Sequence, residues 1–252
     1  MKVSKEKRAE IRRSLVNAAV ALFTEQGVAQ TSMREVASRA GVAPATAYKY
    51  FPQREQLFSA YFELKLDDAR TALEQLEAFE EFNLQEKLHA YLECLLAEYL
   101  ADRDFVSVAL RGLMDAPLQS LGALQPTKRK ATALVASFFD EAVEDQEIPR
   151  GPFHDFLVGG FWDYSTMVVL YWLKDDSEDF TRTSELIDLT LELYVAVVRS
   201  GLVDRAAKIL SFLLKSHLYG NLDQVAALAS RLGHRHPTVG TDGPAGGSKA
   251  SS

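Results

Sequence analysis

The chain has 252 residues, 47% of them hydrophobic and 25% charged, with a formal net charge of −7. That is enough for one large or two modest domains with a buried core, and no apolar run is long enough to span a bilayer. One cysteine, Cys94, excludes an intramolecular disulfide and a cysteine-rich zinc site. With charged residues 1–10 leading straight into a helix, the expectation is a cytoplasmic protein without a signal peptide or membrane association.

The charge is unevenly placed. Residues 1–60 hold ten Lys/Arg against five Glu, a net +5 that leaves −12 for the rest of the −7 chain. A basic head on an acidic body is the asymmetry of a protein whose head alone meets phosphate.

Residues 1–7 form a short basic arm. Helix 1 is expected over residues 5–26, with Ile11, Leu15, Ala18, Ala19, Leu22 and Phe23 as its apolar stripe and Gly27 as its stop. Residues 31–51 then read as two short helices joined by a tight turn. Ser32 and Glu35 have the spacing of a capping box. Met33, Val36, Ala37 and Ala40 fall on one face, and Gly41 follows where a left-handed cap favours glycine. Val42 is placed to plug the corner, and Pro44 occupies the first turn of the next helix, where a missing N–H costs nothing.

That second helix, residues 44–50, is too short to stand alone. Ala47 and Phe51 are its expected inward contacts. Its outward face carries Thr46, Tyr48, Lys49 and Tyr50: hydroxyls, a cation and phenols suited to phosphate oxygens and base edges in a major groove. Its N-terminus adds a partial positive charge. Ser32 and Arg34, at the start of the first of the two helices, are grouped with them as candidate DNA contacts. This is a helix-turn-helix pattern, spanning residues 32–51.

The stretch F-T-E-Q-G-V-A-Q-T-S-M-R-E-V-A-S-R-A-G-V-A-P-A-T-A-Y-K-Y-F-P-Q-R-E-Q-L-F resembles the DNA-binding domain of the tetracycline-repressor (TetR) family of bacterial transcriptional regulators. The likeness runs without a gap over residues 11–62, roughly a fifth of the chain. It implies that Pro44, Ala45 and Thr46 begin the recognition helix facing the bases. It places Tyr48, Lys49 and Tyr50 at groove- and backbone-facing positions, and Arg54 where a basic residue contacts phosphate. Ala43 stands where a capping serine is common in the family and Ala47 where a larger apolar residue is common. Neither departure removes a DNA-contacting group.

Pro52 breaks the chain, and a fourth helix opens at Arg54 and Glu55. It carries Leu57, Phe58, Tyr61, Phe62, Leu64 and Leu66 to about Ala78 and bridges head and body. Beyond it the period is helical throughout. Asn83 with Glu86 starts a helix that Leu84, Leu88, Leu92, Leu95 and Leu96 carry to about Leu100. Helices are expected over residues 104–115, 127–145, 152–174 and 183–200, with residues 117–126 as a loop. The helix over 152–174 is apolar nearly all round. With the next it offers a seam, at Phe161, Leu170, Leu186, Leu193 and Val197, for the four-helix homodimer contact that the resemblance implies. Residues 201–233 suggest one or two further amphipathic helices, buttressing the body or extending the dimer contact. Residues 234–252 are Gly/Ser/Ala/Pro-rich and expected to be disordered.

The expected architecture is therefore all-α: a three-helix head over residues 1–62, a helical ligand-binding and dimerisation bundle over 63–233, and a tail. No G-x-S-x-G, P-loop, G-x-G-x-x-G or H-E-x-x-H motif is present, so neither enzymatic activity nor a cofactor or metal is expected. His154 and Asp155 read as a polar pair at a helix start. A bundle cavity is lined by apolar and aromatic groups with a few polar ones. By helical position the candidates are Tyr91, Cys94, Tyr99, Phe105 and Arg111, together with Phe138, Phe139, Trp162 and Tyr164. Arg111 suits an anionic group, or pairs with Asp104 or Asp115. Two functions remain open. One is a dimeric regulator of double-stranded operator DNA, released by a small apolar or aromatic effector. The other is a ligand-binding or interaction protein that keeps the fold without operator binding.

Overall fold

A computed structural model describes residues 4–115, 122, 124–203, 205–209 and 211. Packing divides the chain into two units, Met1–Val203 and Asp204–Ser252. In the second unit the described residues 205–209 and 211 are helical. The expected helices beyond residue 211 and the tail lie outside the described residues, as does most of the 117–126 loop.

In the first unit, α1 spans Lys5–Gln26, α2 Met33–Arg39, α3 Pro44–Tyr50 and α4 Gln56–Glu74. The body continues with α5 Leu84–Leu100, α6 Arg103–Asp115, α7 Gln125–Glu144, α8 His154–Trp172 and α9 Thr181–Ser200. The described residues contain no strand. None of their helices is long and apolar enough to cross a membrane, and no group of three or more His, Cys, Asp or Glu among them could hold a metal ion.

The helix ends follow local chemistry. Ser4 caps α1, accepting from the Lys7 N–H at 3.2 Å, and Gly27 closes it at φ 85°. Asn83 and Glu86 form a capping box on α5, with the Asn83 side chain accepting from the Gln85 and Glu86 N–H groups. The Leu84 N–H, a further helix-start donor, is taken by Glu147, three residues past the end of α7, at 2.9 Å.

The body helices α6 to α9 start or end within one or two residues of expectation, and α4 differs by more. α4 stops at Glu74, four residues short of Ala78. Ala78 is left-handed at φ 57°, and the chain turns through a 3₁₀ segment, Phe79–Glu81. That turn brings Phe79 edge-on to Phe138 of α7, with centroids 5.8 Å apart. Packing of one aromatic residue against the body ends the helix where periodicity alone would carry it on. α7 begins at Gln125, earlier than expected, because Pro126 fits its first turn instead of ending the loop.

The core runs through the unit from α1 to α9, including Leu15, Leu57, Leu73, Leu88, Phe139 and Leu191. α4 crosses residues 62 and 63 unbroken and packs on α1, α5 and α7. Head and body thus share one rod.

Candidate nucleic-acid interface

α2 begins with a complete capping box. The Glu35 N–H donates to Ser32 Oγ at 3.3 Å, and Glu35 Oε2 accepts from the Ser32 N–H at 2.7 Å and its hydroxyl at 2.8 Å. These donors hold the Glu35 carboxyl below the usual carboxylate range. At the other end, Gly41 is left-handed at φ 69°. Its N–H donates to the Ser38 carbonyl at 3.1 Å and the Val42 N–H donates to the Ala37 carbonyl at 3.0 Å. This is the paired-bond Schellman termination, with Val42 packed against the core as its apolar partner.

The turn sets the start of α3. Pro44 occupies its first turn, and the Thr46 and Ala47 N–H groups donate to the Ala43 carbonyl. Ala43 gives no side-chain cap. Ala47 is fully buried and Phe51 is nearly so, which fixes the inner face. Pro44, Ala45, Tyr48 and Lys49 are exposed, and Thr46 and Tyr50 are half-buried. Tyr48, at 47% exposure, is a large aromatic side chain turned to solvent. A short helix is thereby clamped on one side and presents hydroxyls, a cation and an aromatic face on the other.

The charges of the head divide into two sets. Arg12 pairs with Glu63 at 3.2 Å and also lies 6.0 Å over the Phe51 ring. Arg13 makes a two-pronged bond to Asp68, 2.7 Å on each arm, and Arg39 pairs with Glu25. These arginines fasten α1 to α4 and α2 to α1. Arg34 and Lys49 are exposed, and no carboxylate among the described residues lies within ion-pair distance of either. They are free to meet an external anion.

Arg54 has a structural engagement that the sequence does not announce. Its Nη1 donates to the carbonyls of Val28 at 2.7 Å and Thr31 at 3.0 Å, and its other arm lies 3.6 Å from Glu55. The guanidinium ties the start of α4 to the loop between α1 and α2. Ser32 is likewise committed to its cap. The roles of Arg12, Arg13 and Arg54 as clamps depend on partners 23 to 55 residues away. Spacing along one helix carries no signal for them.

The body residues expected to line a cavity are dispersed. Tyr91, Tyr99, Phe105, Phe138 and Phe139 are buried in the core. Burial pushes the Tyr91 and Tyr99 phenols well above the usual tyrosine range, so both stay neutral. Cys94, Trp162 and Tyr164 are half-buried, and Arg111 is exposed. Burial also raises the Cys94 thiol, which disfavours a reactive thiolate. Of these residues only Phe105 borders one of the described cavities, an open cleft of about 440 Å³ between α1 and the α5–α6 corner. His154 stands edge-on to Phe139, centroids 5.7 Å apart, as a packing residue at its helix start.

The proposed dimer seam is partly corrected. Phe161 is fully buried within the protomer, against Tyr91, Tyr164 and Tyr194, and cannot reach a partner. A helix apolar on every side does not reveal which side the monomer covers. Leu170, Leu186 and Val197 are half-buried. Leu193 is 66% exposed, and Leu189 on the same helix and Met167 and Tyr171 on α8 are also exposed. None of the last three is among the expected seam residues, although Met167 and Tyr171, like Leu189 and Leu193, lie four residues apart on one helix, a spacing that puts each pair on one face.

Comparison with known proteins agrees with this geometry. Residues 15–61 match the family described as "Bacterial regulatory proteins, tetR family", and residues 87–213 match "Tetracyclin repressor-like, C-terminal domain". The HTH-type transcriptional regulator AcrR of Shigella flexneri is 38% identical over 61 residues, 24% of this chain and 28% of that protein. The chain therefore matches little more than a quarter of that relative's length. The crystal structure of a putative TetR-family transcriptional regulator from Rhodococcus sp. superposes with a TM-score of 0.59 at 18% identity, covering 76% of this chain and 99% of that one. The regulator FadR from Bacillus subtilis in complex with stearoyl-CoA gives 0.55 at 20% identity, covering 73% and 97%.

Proposed function

Because the chain belongs to the TetR family of transcriptional regulators, we propose that it is a dimeric repressor that grips duplex operator DNA with α3 and is released by a small apolar or aromatic effector. The observation that carries the reading is the unpaired outer face of α3, with Tyr48 and Lys49 exposed while Ala47 and Phe51 anchor the inner side. A rigidly held helix with free donors suits groove contact. Arg34 adds a second free cation in the same motif. Pro44, Ala45 and Thr46 supply the base-facing start.

Dimerisation brings two such helices to a roughly two-fold symmetric site, about 34–36 Å apart or somewhat more. The exposed Met167 and Tyr171 of α8 and Leu189 and Leu193 of α9 supply apolar surface for it. The effector is taken to be apolar or aromatic because the body interior is rich in such side chains. In keeping with this, the FadR neighbour of the same fold was solved with stearoyl-CoA. A ligand changes operator affinity only by binding one conformation better than the other. The path available to it is α4, which touches both head and body.

The test is selection of bound duplexes from a fragment library by the purified protein, followed by a compound screen for release. Enrichment of a near-palindromic sequence supports the reading. No enrichment over a scrambled pool favours a ligand-binding protein that has kept the fold alone.

A further inference from the structure

A second feature of the body lies away from α3. Between α5 and the start of α9 runs a groove of about 170 Å³, lined by Leu96, Ala97, Leu100, Trp172, Phe180 and Ile187 among others. Trp172, Ile187 and Thr183 are buried and form its floor. Its titratable lining is His89, Glu93 and Asp179, with no lysine or arginine. A dry cavity of ~150 Å³ admits a benzene ring, so the space suits one ring with a short substituent.

The mouth is shaped by an unusual backbone. Asp179 and Phe180 are consecutive non-glycine residues in the left-handed region, at φ 52° and 56°. Such positions persist only where the surroundings over-determine them, and they cluster at binding sites. Here the turn sets the Phe180 ring 5.7 Å from Trp172. Asp175, buried beneath, fixes the turn by accepting from Ser177 and Thr183. The aromatic wall is steadied by Arg103, whose guanidinium lies 5.3 Å from the Trp172 ring centre and 4.9 Å from that of Phe180. Arg103 is itself held by the Trp172 and Asp175 carbonyls.

The electrostatics select the occupant. His89 Nε2 lies 3.0 Å from Asp188, and its Nδ1 lies 3.5 Å from Glu93. Glu93 is 65% exposed at its side chain and keeps acceptor capacity. Asp179 makes no ion pair among the described residues. Arg103 already lies over the Trp172 and Phe180 rings, so it is the two rim carboxylates, Glu93 and Asp179, that favour a positive head on an apolar body. We propose that this groove is a binding site for a small organic monocation carrying one aromatic or alicyclic ring. It goes beyond the reading of α3 and does not depend on it.

The probe is 2-phenylethylammonium, with 2-phenylethanol as its neutral counterpart. Trp162→Phe leaves Trp172 as the one tryptophan, so its fluorescence reports the floor of the groove directly. Saturable quenching by the ammonium, clearly tighter than by the alcohol, is expected. Glu93→Gln and Asp179→Asn should each weaken it about threefold, as exposed charges do; asparagine tolerates the left-handed backbone at 179. Ala97→Trp, which fills the groove from an exposed position, should abolish binding by calorimetry while circular dichroism stays unchanged. Absence of saturation in the millimolar range, equal affinity for the alcohol, or full binding by Ala97→Trp would each overturn the site.

Discussion

Phe23 of α1 stacks on Phe105 of α6 with ring centres 6.0 Å apart and planes 9° from parallel. Phe58 of α4 joins the same stack, 5.2 Å from Phe23 and 5.8 Å from Phe105, and Tyr61 meets Phe105 edge-on at 4.7 Å. The helix-turn-helix head is thus joined to the body by aromatic contact as well as by the covalent run of α4. Two residues before Phe105, Arg103 binds the turn between α8 and α9. Movement of that turn therefore has a packed route to α1.

The stack should show direct coupling. In a double-mutant cycle with Phe23→Leu and Phe105→Leu, the interaction free energy from denaturant unfolding should be about 0.5–1.5 kcal/mol. Strict additivity would mean the rings are neighbours without mutual stabilisation.

The helix-turn-helix should be sensitive at its caps. Gly41→Ala forces a Cβ into a φ of 69°, with no clash to blame, and should cost about 1–2 kcal/mol from backbone strain alone. Ser32→Ala removes the acceptor for the Glu35 N–H and should cost about 1 kcal/mol. Thermal unfolding of both variants checks this; an unchanged midpoint for Gly41→Ala would contradict the assigned backbone.

Acid stability should depend on Asp175. Hydrogen bonds from Ser177, then Thr183, hold its carboxyl far below the usual range. Its pKa is depressed on folding, so the stabilisation is present above the unfolded value of ~4 and is lost as pH falls towards the folded value. Asp175→Asn should lower the melting temperature at neutral pH and flatten its decline through the acid range. A parallel acid limb in wild type and variant would remove Asp175 from the account.

Leu193→Glu should dissociate the proposed dimer while leaving helical content intact, since the side chain is exposed in the protomer and would set a charge on the proposed apolar seam. Light scattering on the eluting peak reads the mass. Phe161→Glu is a contrasting case: it should unfold the body, because its ring is fully buried.

Much of the head was legible because its signals are local. The Ser32–Glu35 box, the Gly41 stop, Pro44 and the inward Ala47 each follow from residues within one or two turns of each other, and each stands as expected. What escaped depends on distant partners. Arg54 reaches back to Val28 and Thr31, and Phe79 ends α4 by meeting Phe138. Periodicity marks Phe161 and Leu193 alike as apolar, yet only packing decides that one is core and the other surface. For the same reason the aromatic residues chosen as a cavity lining include Tyr91, Tyr99, Phe138 and Phe139, which are core.

The most direct test of the central claim is the salt dependence of binding to a selected operator duplex, followed by fluorescence anisotropy for wild type, Lys49→Ala and Tyr48→Ala. The account predicts a linear fall of log affinity with log salt. Lys49→Ala should weaken binding and make the slope shallower by about one. Tyr48→Ala should weaken binding with the slope kept. Wild-type affinity and slope in both variants would contradict docking through the outer face of α3.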